Sequence, residues 1–261
     1  MPKPPRVYKS AAIVLRQRKL GDADKIITLY TAEYGKIDAV AKGVRRVKSR
    51  LAGNVEPLRH ASFMLARGRN LDIVTQVQSI ESFQALRDDL SKLSHALYAA
   101  ELLDRATEQR EENFVLYRLL LDTLRRLASR DDLERVLRYY EMQVLMQLGY
   151  KPELDQCVVR GCEVGEGEVL RWAASLGGIV CSACKPQDVS LTSLSPEALE
   201  AMRALQRDDF EDVTGAATDH HSAVVVERIL RDAIHYALEQ DVRSAAFLDE
   251  VRRRPRTAGV Q

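Results

Sequence analysis

The chain has 261 residues, of which 46% are hydrophobic and 30% charged, and this composition is typical of a globular protein with a sizeable core. No apolar run approaches the roughly 20 residues that a membrane-spanning helix needs. The N-terminus is positively charged, but no apolar segment follows it, so we do not interpret it as a secretory signal. We therefore expect a cytoplasmic protein without membrane contact.

The formal net charge of +1 conceals an uneven distribution of charge along the chain. Residues 1–80 carry 16 Lys and Arg against 6 Asp and Glu, a net charge of +10, whereas the remaining residues carry 23 against 32, a net charge of −9. This asymmetry favours a polyanion-binding head on an acidic body. The alternative is that the opposite charges only help the two parts to dock.

Five short apolar runs between turn residues predict β-strands in the first 80 residues. They cover residues 11–15, 26–30, 37–41, 61–66 and 71–80. The number of strands and the long connection between the third and the fourth match a small oligonucleotide-binding (OB) barrel, although the pattern also fits an SH3-like barrel. In the fifth run, Ile73, Thr75, Val77 and Ser79 alternate with their neighbours and are expected on one face.

Cations are concentrated at the turns of this predicted barrel, most densely in a basic loop at residues 42–50. Cations at neighbouring turns can converge on one rim, where they would neutralise the phosphates of a nucleic acid. A merely solvated basic face is the alternative. The candidate DNA-binding residues are Arg16, Lys19, Lys25, Lys36, Lys42, Arg45, Arg46, Lys48, Arg50, Arg67 and Arg69.

From about residue 88 the apolar period changes from two residues to about 3.6, which predicts a helical body. Asn113 is expected to cap one helix, and Ser195 to cap another. Gly149 is expected to end a third helix. A further helix is predicted from about residue 223, after the adjacent histidines at 220 and 221.

The four cysteines of the chain form two close pairs, C-x4-C and C-x2-C, separated by eighteen residues. Two such pairs bring four thiolates to one tetrahedral point, which is typical of a structural zinc ion. Four cysteine ligands leave no open coordination position, so we expect one zinc per chain that stabilises a knuckle without activating water. Four unrelated thiols are the alternative. The candidate metal ligands are Cys157, Cys162, Cys181 and Cys184.

Together these patterns predict an α+β, multidomain chain. An N-terminal five-stranded OB-fold barrel is expected at residues 1–82, followed by an all-α helical domain at residues 83–261. The cysteine module, a four-cysteine zinc knuckle, is expected to interrupt this helical domain at residues 153–188. The sequence contains no G-x-S-x-G, Walker A or H-E-x-x-H motif, so we do not expect an enzyme.

Eight short segments combine into a recognisable pattern. They are GDADK at 21–25, LYT at 29–31, GK at 35–36, VAKGVRR at 40–46, SRL at 49–51, RG at 67–68, LDI at 71–73 and RSAAFL at 243–248. This pattern closely resembles that of RecO, a family of bacterial DNA-repair and recombination mediators. The resemblance covers essentially the whole chain and is densest over residues 10–80.

The resemblance implies an OB fold, a helical body and, in many members, a zinc knuckle. Zinc-bearing members have a first cysteine pair with C-x2-C spacing, whereas this chain has C-x4-C. The resemblance further implies binding of single- and double-stranded DNA and annealing of complementary strands. Members act with RecR to load RecA onto DNA coated by single-strand-binding protein, whose acidic C-terminal tail they recognise. It also implies a cytoplasmic, nucleoid-associated location in bacteria.

Two other interpretations remain open at this point. The chain can be a zinc-ribbon adaptor whose helical body binds proteins, with the basic head only docked to the acidic body. It can also be an enzyme whose site is not recognisable from sequence. Salt-dependent retention of single-stranded DNA distinguishes the mediator from the adaptor.

Overall fold

The computed structural model describes residues 6–47, 49, 51–164, 169–184, 186–207, 210–213, 219–239 and 242–253. The chain forms two compact units. The first runs to Leu133 and includes residues from Val242 onward, and the second spans Glu134–Asp241. No helix in the described part of the chain is both long and apolar enough to cross a bilayer.

A closed five-stranded barrel forms the first part of the first unit. Its strands are β1 Val7–Leu20, β2 Asp24–Thr31, β3 Gly35–Ala41, β4 His60–Ala66 and β5 Asp72–Glu81, in the order β1-β2-β3-β5-β4. All neighbours are antiparallel except β3 and β5, which are parallel. The predicted OB-type barrel is therefore confirmed, and its parallel pair is the crossover of a Greek-key barrel.

Strand β1 is much longer than the sequence predicts because it serves two parts of the barrel. Its first half pairs with β4, from Val7 to Ile13, and its second half pairs with β2 as far as Leu20. The pairing with β2 already begins at Ala12, and a bulge between Val14 and Arg16 follows directly after the stretch that is shared by both partners. Since a bulge bends and twists a strand, it lets one strand turn the corner of a small barrel.

A second bulge interrupts the alternation of side chains that the sequence predicts for β5. Phe63 lies opposite Val77 and Leu65 lies opposite Val74, with a register shift between Met64 and Leu65. Val74 is therefore part of the barrel core and Val77 packs against it. An extra residue between Val74 and Val77 moves the following side chains to the other face. Ile73 and Val77 thus do not share a face, contrary to the prediction.

Four helices complete the described part of the first unit. They are α1 Gln84–Asp88, α2 Leu90–Ala106, α3 Phe114–Ser129 and α8 Ser244–Arg253, and α2 and α3 among them pack against the barrel. The outward residues of β2, which are Ile26, Thr28 and Tyr30, are all buried. Helix α2 packs against β1, α3 and α8, so it is buried on most of its surface. The outer face of β2 is therefore structural and is not free to bind a ligand.

A series of polar contacts, buried at His60 and Tyr117, joins strands β4 and β5 to helix α3. The His60 ring lies 2.8 Å from the Tyr117 hydroxyl and 3.1 Å from Glu81, and Arg125 donates two hydrogen bonds to the same Glu81 carboxylate. Burial lowers the pKa of His60 despite the adjacent carboxylate. The imidazole is therefore neutral near pH 7 and connects the strands to the helix without a buried charge.

The second unit contains helices and a small antiparallel sheet. Its elements are α4 Leu133–Gln147, β6 Leu170–Ala173, β7 Gly178–Val180, β8 Thr192–Leu194, α5 Pro196–Leu205, α6 Phe210–Val213 and α7 His220–Leu238, where Leu133 is the last residue of the first unit. Strand β6 is central, between β7 and β8. The helical body with an inserted cysteine module is confirmed, and the sheet that surrounds the module is an addition to the prediction.

The predicted helix boundaries are mostly confirmed by their caps. Asn113 accepts a hydrogen bond from the Leu116 amide, and Ser195 accepts one from the Ala198 amide. Gly149 follows α4 with a φ of +84°, as a left-handed C-cap requires. Helix α7 begins earlier than predicted, with Asp219 as its N-cap, so both histidines lie inside its first turn. The domain boundary after residue 82 stays a prediction.

The hairpin between β2 and β3 generates a test of this fold. Gly35 has a φ of +62°, and a Cβ there would overlap the backbone carbonyl of Glu111. We expect Gly35→Ala to lower the free energy of unfolding by more than about 3 kcal/mol, because backbone must move as well as adopt a strained φ. Urea unfolding followed by circular dichroism measures this loss.

Gly21→Ala is the matched control, since Gly21 also has a positive φ, +56°, but open space around it. Its cost should be limited to roughly 1–2 kcal/mol of left-handed strain. Equal losses for the two variants would contradict the close approach of residue 111 to the hairpin.

Candidate nucleic-acid interface and metal centre

The basic loop after β3 is held against the turn between β1 and β2. The Gly43 amide donates to Asp24 Oδ1 at 2.7 Å, and the Arg45 amide donates to the Ala23 carbonyl at 2.9 Å. The Arg45 guanidinium also donates to the Gly21 carbonyl at 3.2 Å. These contacts bring the cations of the loop next to those of the turn.

The register of β1, β2 and β3 places the cations at the ends of these strands side by side. Lys19 lies opposite Lys25, and Lys25 lies opposite Ala41, which directly precedes Lys42. Neighbouring strands are about 4.8 Å apart, so these positions lie on one edge of the barrel. We call the exposed cations at this place the basic end; they are Arg18, Lys19, Lys42, Arg45 and Arg46. None of the five has an ion pair with any residue that the structure describes.

Three predicted DNA-binding cations are instead engaged within the protein. Lys36 is buried, and its ammonium binds the Asp104 carbonyl and lies 3.4 Å from the Asp104 carboxylate. Arg16 forms an ion pair with the same carboxylate at 2.6 Å. Lys25 binds Glu56 at 3.1 Å. In this conformation Lys36 does not face solvent, so we leave it out of the proposed surface.

The remaining predicted cations lie elsewhere. Lys48 and Arg50 are outside the described residues. Arg67 and Arg69 are exposed in the loop between β4 and β5, and the Arg67 guanidinium lies 5.2 Å from the ring centre of Tyr8. A cation over an aromatic face is held in place without losing its charge. This loop is therefore a second basic position on the barrel, apart from the basic end.

A buried carboxylate fixes the loop between β4 and β5. Asp72 accepts hydrogen bonds from the Tyr8 hydroxyl, from the Gly68 amide at 3.2 Å and from Arg110 at 3.0 Å. Burial, and then the Asp72 carboxylate, raise the pKa of Tyr8, which therefore remains a neutral donor. Sequence reasoning did not single out Asp72, because a lone Asp at a strand start reads as an ordinary turn residue.

The arrangement of the basic end suits a polyanion. Its side chains are exposed, so they can approach phosphates without a large desolvation cost. Cations at loops that lack internal ion pairs retain their full charge for counterion release on binding. Contacts of this kind position a nucleic-acid backbone and carry no base specificity.

The four cysteines converge in the second unit. The sulfur atoms of Cys157, Cys162 and Cys181 all lie within 4.8 Å of one another. Cys184 is buried in the same cluster as Cys157 and Cys181. Each pair closes its own tight turn, with the Gly161 amide donating to the Cys157 carbonyl at 2.7 Å and the Cys184 amide to the Cys181 carbonyl at 3.2 Å. The predicted metal-type spacing therefore corresponds to a cluster in space.

The chemistry of this cluster fits a thiophilic divalent metal. Burial would raise the pKa of Cys157, but backbone amides, first that of Cys181, outweigh it and lower the pKa to about 6. Burial and the neighbouring thiols raise the pKa of Cys184 to about 12. Thiols this close oppose one another's ionisation, and a divalent cation removes that opposition while the amides orient the sulfurs.

These features define a class: an OB-fold protein with a cationic rim and a helical second part that carries a metal-type cysteine cluster. Two family models match the chain, Recombination protein O N terminal over residues 6–83 and Recombination protein O C terminal over residues 87–246. Together they cover nearly all of the sequence. The chain belongs to the RecO family, and its role is in DNA repair and recombination.

Curated relatives agree with the family models. The DNA repair protein RecO of Roseiflexus sp. (strain RS-1) is 38% identical over 253 residues, which is 97% of this chain and 89% of the relative. That of Pelotomaculum thermopropionicum is also 38% identical, over 97% of this chain and 98% of the relative. That of Symbiobacterium thermophilum is 37% identical, over 94% of this chain and 98% of the relative.

The cysteine cluster generates a prediction about metal content. We expect purified protein to contain one zinc ion per chain, and Cys184→Ser to lower this content severalfold because it removes one of four ligands. Elemental analysis of protein prepared without chelator measures both values. The barrel should stay folded in the variant, since the cysteines lie in the second unit.

Ser182→Ala is the matched control, because it alters the same knuckle without removing a thiolate. It should retain wild-type zinc content. Protein that contains substantially no zinc, or a control that loses as much metal as Cys184→Ser, would contradict a four-cysteine zinc site.

Proposed function

We propose that this chain is a non-enzymatic mediator of DNA repair and homologous recombination that binds single- and double-stranded DNA and anneals complementary strands. With RecR, it helps to load RecA onto DNA coated by single-strand-binding protein, whose acidic C-terminal tail it recognises. RecA is reached indirectly, through the prepared DNA. The family assignment supports this role as a whole, and the barrel geometry supports the part that concerns DNA.

One observation carries the DNA-binding part of the proposal. Five cations, two at the end of β1 and three in the loop after β3, lie together, exposed and without internal ion pairs among the described residues. The loops are held by backbone contacts rather than by these charged side chains, apart from the single bond from Arg45 to Gly21. A surface of this kind attracts phosphates of any sequence, as a strand-annealing protein requires.

Zinc is proposed as a structural ion. Cys157, Cys162, Cys181 and Cys184 would hold it with all four positions occupied by sulfur. Such an ion stabilises the fold and leaves no site for substrate. Strand annealing therefore depends on the basic surface and not on metal chemistry.

The first test concerns the salt dependence of DNA binding. A variant with Lys19, Lys42, Arg45 and Arg46 changed to Ala should flatten the slope of log K against log salt by up to roughly 2.8, since each phosphate contact to a single strand contributes about 0.7. Fluorescence anisotropy with labelled oligothymidylate, measured at several salt concentrations, gives the slope. Binding should weaken about equally for different sequences.

A control variant removes four exposed arginines far from the basic end along the sequence: Arg118, Arg160, Arg228 and Arg243, each changed to Ala. It loses the same charge and should change the slope much less. If the control lost DNA binding while the basic-end variant kept its full slope, the DNA site would lie outside the barrel, and the adaptor interpretation of the barrel would gain.

The second test concerns annealing itself. Complementary oligonucleotides should anneal faster with the protein than without it, in the absence of any nucleotide. The basic-end variant should lose most of this acceleration, by about tenfold or more at physiological salt. Quenching between dye-labelled strands follows the reaction. A requirement for ATP, or a nuclease activity that a point mutation in this chain abolishes, would refute a non-enzymatic mediator.

A further inference from the structure

A cavity of about 360 Å³ lies within the second unit, remote in sequence from the basic end. It is bounded by the end of α4, the segment that follows α4, the region around β6, and helix α7. Leu145, Trp172 and Leu176 contribute to its lining, together with Tyr150 and Tyr236. A cavity of this size accommodates one large side chain with part of its backbone.

Three large apolar side chains around this cavity are exposed to solvent. Tyr150 is 50% exposed, Tyr236 is 53% exposed and Leu176 is 41% exposed. Single exposed apolar residues are ordinary, but a cluster of them around a concave surface marks an interaction site. Tyrosines are especially common at such sites because they combine apolar area with a polar tip.

Trp172 adds an independent observation. Its side chain is buried at 1% exposure, and its indole N–H has no hydrogen-bond acceptor in the part of the chain that the structure describes. Buried indole N–H groups are normally paired, because an unpaired one loses its bond to water without replacement. The N–H itself is not accessible to solvent, so Trp172 forms part of the cavity wall, whereas Tyr150 and Tyr236 supply its exposed surface.

The charges around the cavity favour one kind of ligand over others. Asp232 lies four residues before Tyr236 on α7, hence on the same helical face, and Glu239 directly follows the end of this helix. Glu153 also lines the cavity, and its Oε1 accepts from the backbone amides of Asp155 and Gln156, while Lys151 is the one cation among the described lining residues. Residues 134–241 as a whole contain 10 Lys and Arg against 19 Asp and Glu. This field attracts cationic ligands and repels DNA and acidic peptides.

We propose that this cavity binds a short basic peptide segment of a partner protein. One aromatic or aliphatic side chain of the peptide fills the cavity beside Tyr150 and Tyr236 and packs against the wall that contains Trp172. Flanking Lys or Arg side chains face Asp232, Glu239 and Glu153. The site is separate from the proposed DNA surface, so its failure would leave the proposed function untouched.

Trp172 is the only tryptophan of the chain, so one indole resonance reports on the cavity. The experiment titrates full-length, nitrogen-15-labelled protein with the capped peptide acetyl-Arg-Lys-Phe-Lys-Arg-amide. We expect a saturable shift of the indole N–H resonance. The charge-reversed peptide acetyl-Glu-Asp-Phe-Asp-Glu-amide should bind at least tenfold more weakly, and oligothymidylate should leave this resonance unchanged.

Variants of the protein test which residues bind the peptide. Tyr236→Ala should weaken binding of the basic peptide about tenfold, and the pair Asp232→Asn with Glu239→Gln should remove most of its preference over the acidic peptide. Val224→Ala is the matched control, since Val224 is also exposed on α7 but lies three turns away. An indole resonance that does not respond to the basic peptide, or that responds equally to the acidic peptide or to oligothymidylate, would overturn the proposal. Unaltered binding by Tyr236→Ala would do the same.

Discussion

The buried carboxylate of Asp72 is the constraint on which the first unit depends. It lies at the start of β5 and receives hydrogen bonds from β1 through Tyr8, from the β4–β5 loop through Gly68, and from the segment after α2 through Arg110. A buried charge that loses its partners typically costs several kcal/mol. The three partners of this carboxylate therefore join strand, loop and the connection between α2 and α3, which couples the barrel to the helices that pack on it.

That coupling changes how the charge of the N-terminal region is understood. The excess of cations predicts a basic head, but Lys36 and Arg16 both bind Asp104 of α2, and Lys25 binds Glu56. These cations form ion pairs within the first unit, so the net charge of +10 overstates the positive charge that is available to phosphates. What remains exposed is confined to the basic end and the β4–β5 loop, because the outer face of β2 is buried. The surface available to a polyanion therefore consists of the end of β1 and of loops, and excludes the outer face of β2.

The sequence predicts the elements well where the signal is local. The five strands and the caps at Asn113 and Ser195 follow from apolar period and turn chemistry. Burial of Lys36 could not be predicted, since its partner lies 68 residues away and a lysine beside a turn normally faces water. The β5 bulge and the three-residue strands β7 and β8 could not be predicted either. Neither a single inserted residue nor so short a strand produces a recognisable hydrophobic period in the sequence.

The cysteine cluster and the cavity share two strands of the second unit, β6 and β7. Cys157, Cys181 and Cys184 form one buried group with Ala173 of β6 and Val180 of β7. Trp172 directly precedes Ala173 and pairs with Ile179 across the same two strands. Fixing the four sulfurs therefore fixes the two strands, and through them the wall of the cavity. A sheet of three strands with three or four residues each has too little core to be stable alone, which gives a structural ion a role that needs no catalysis.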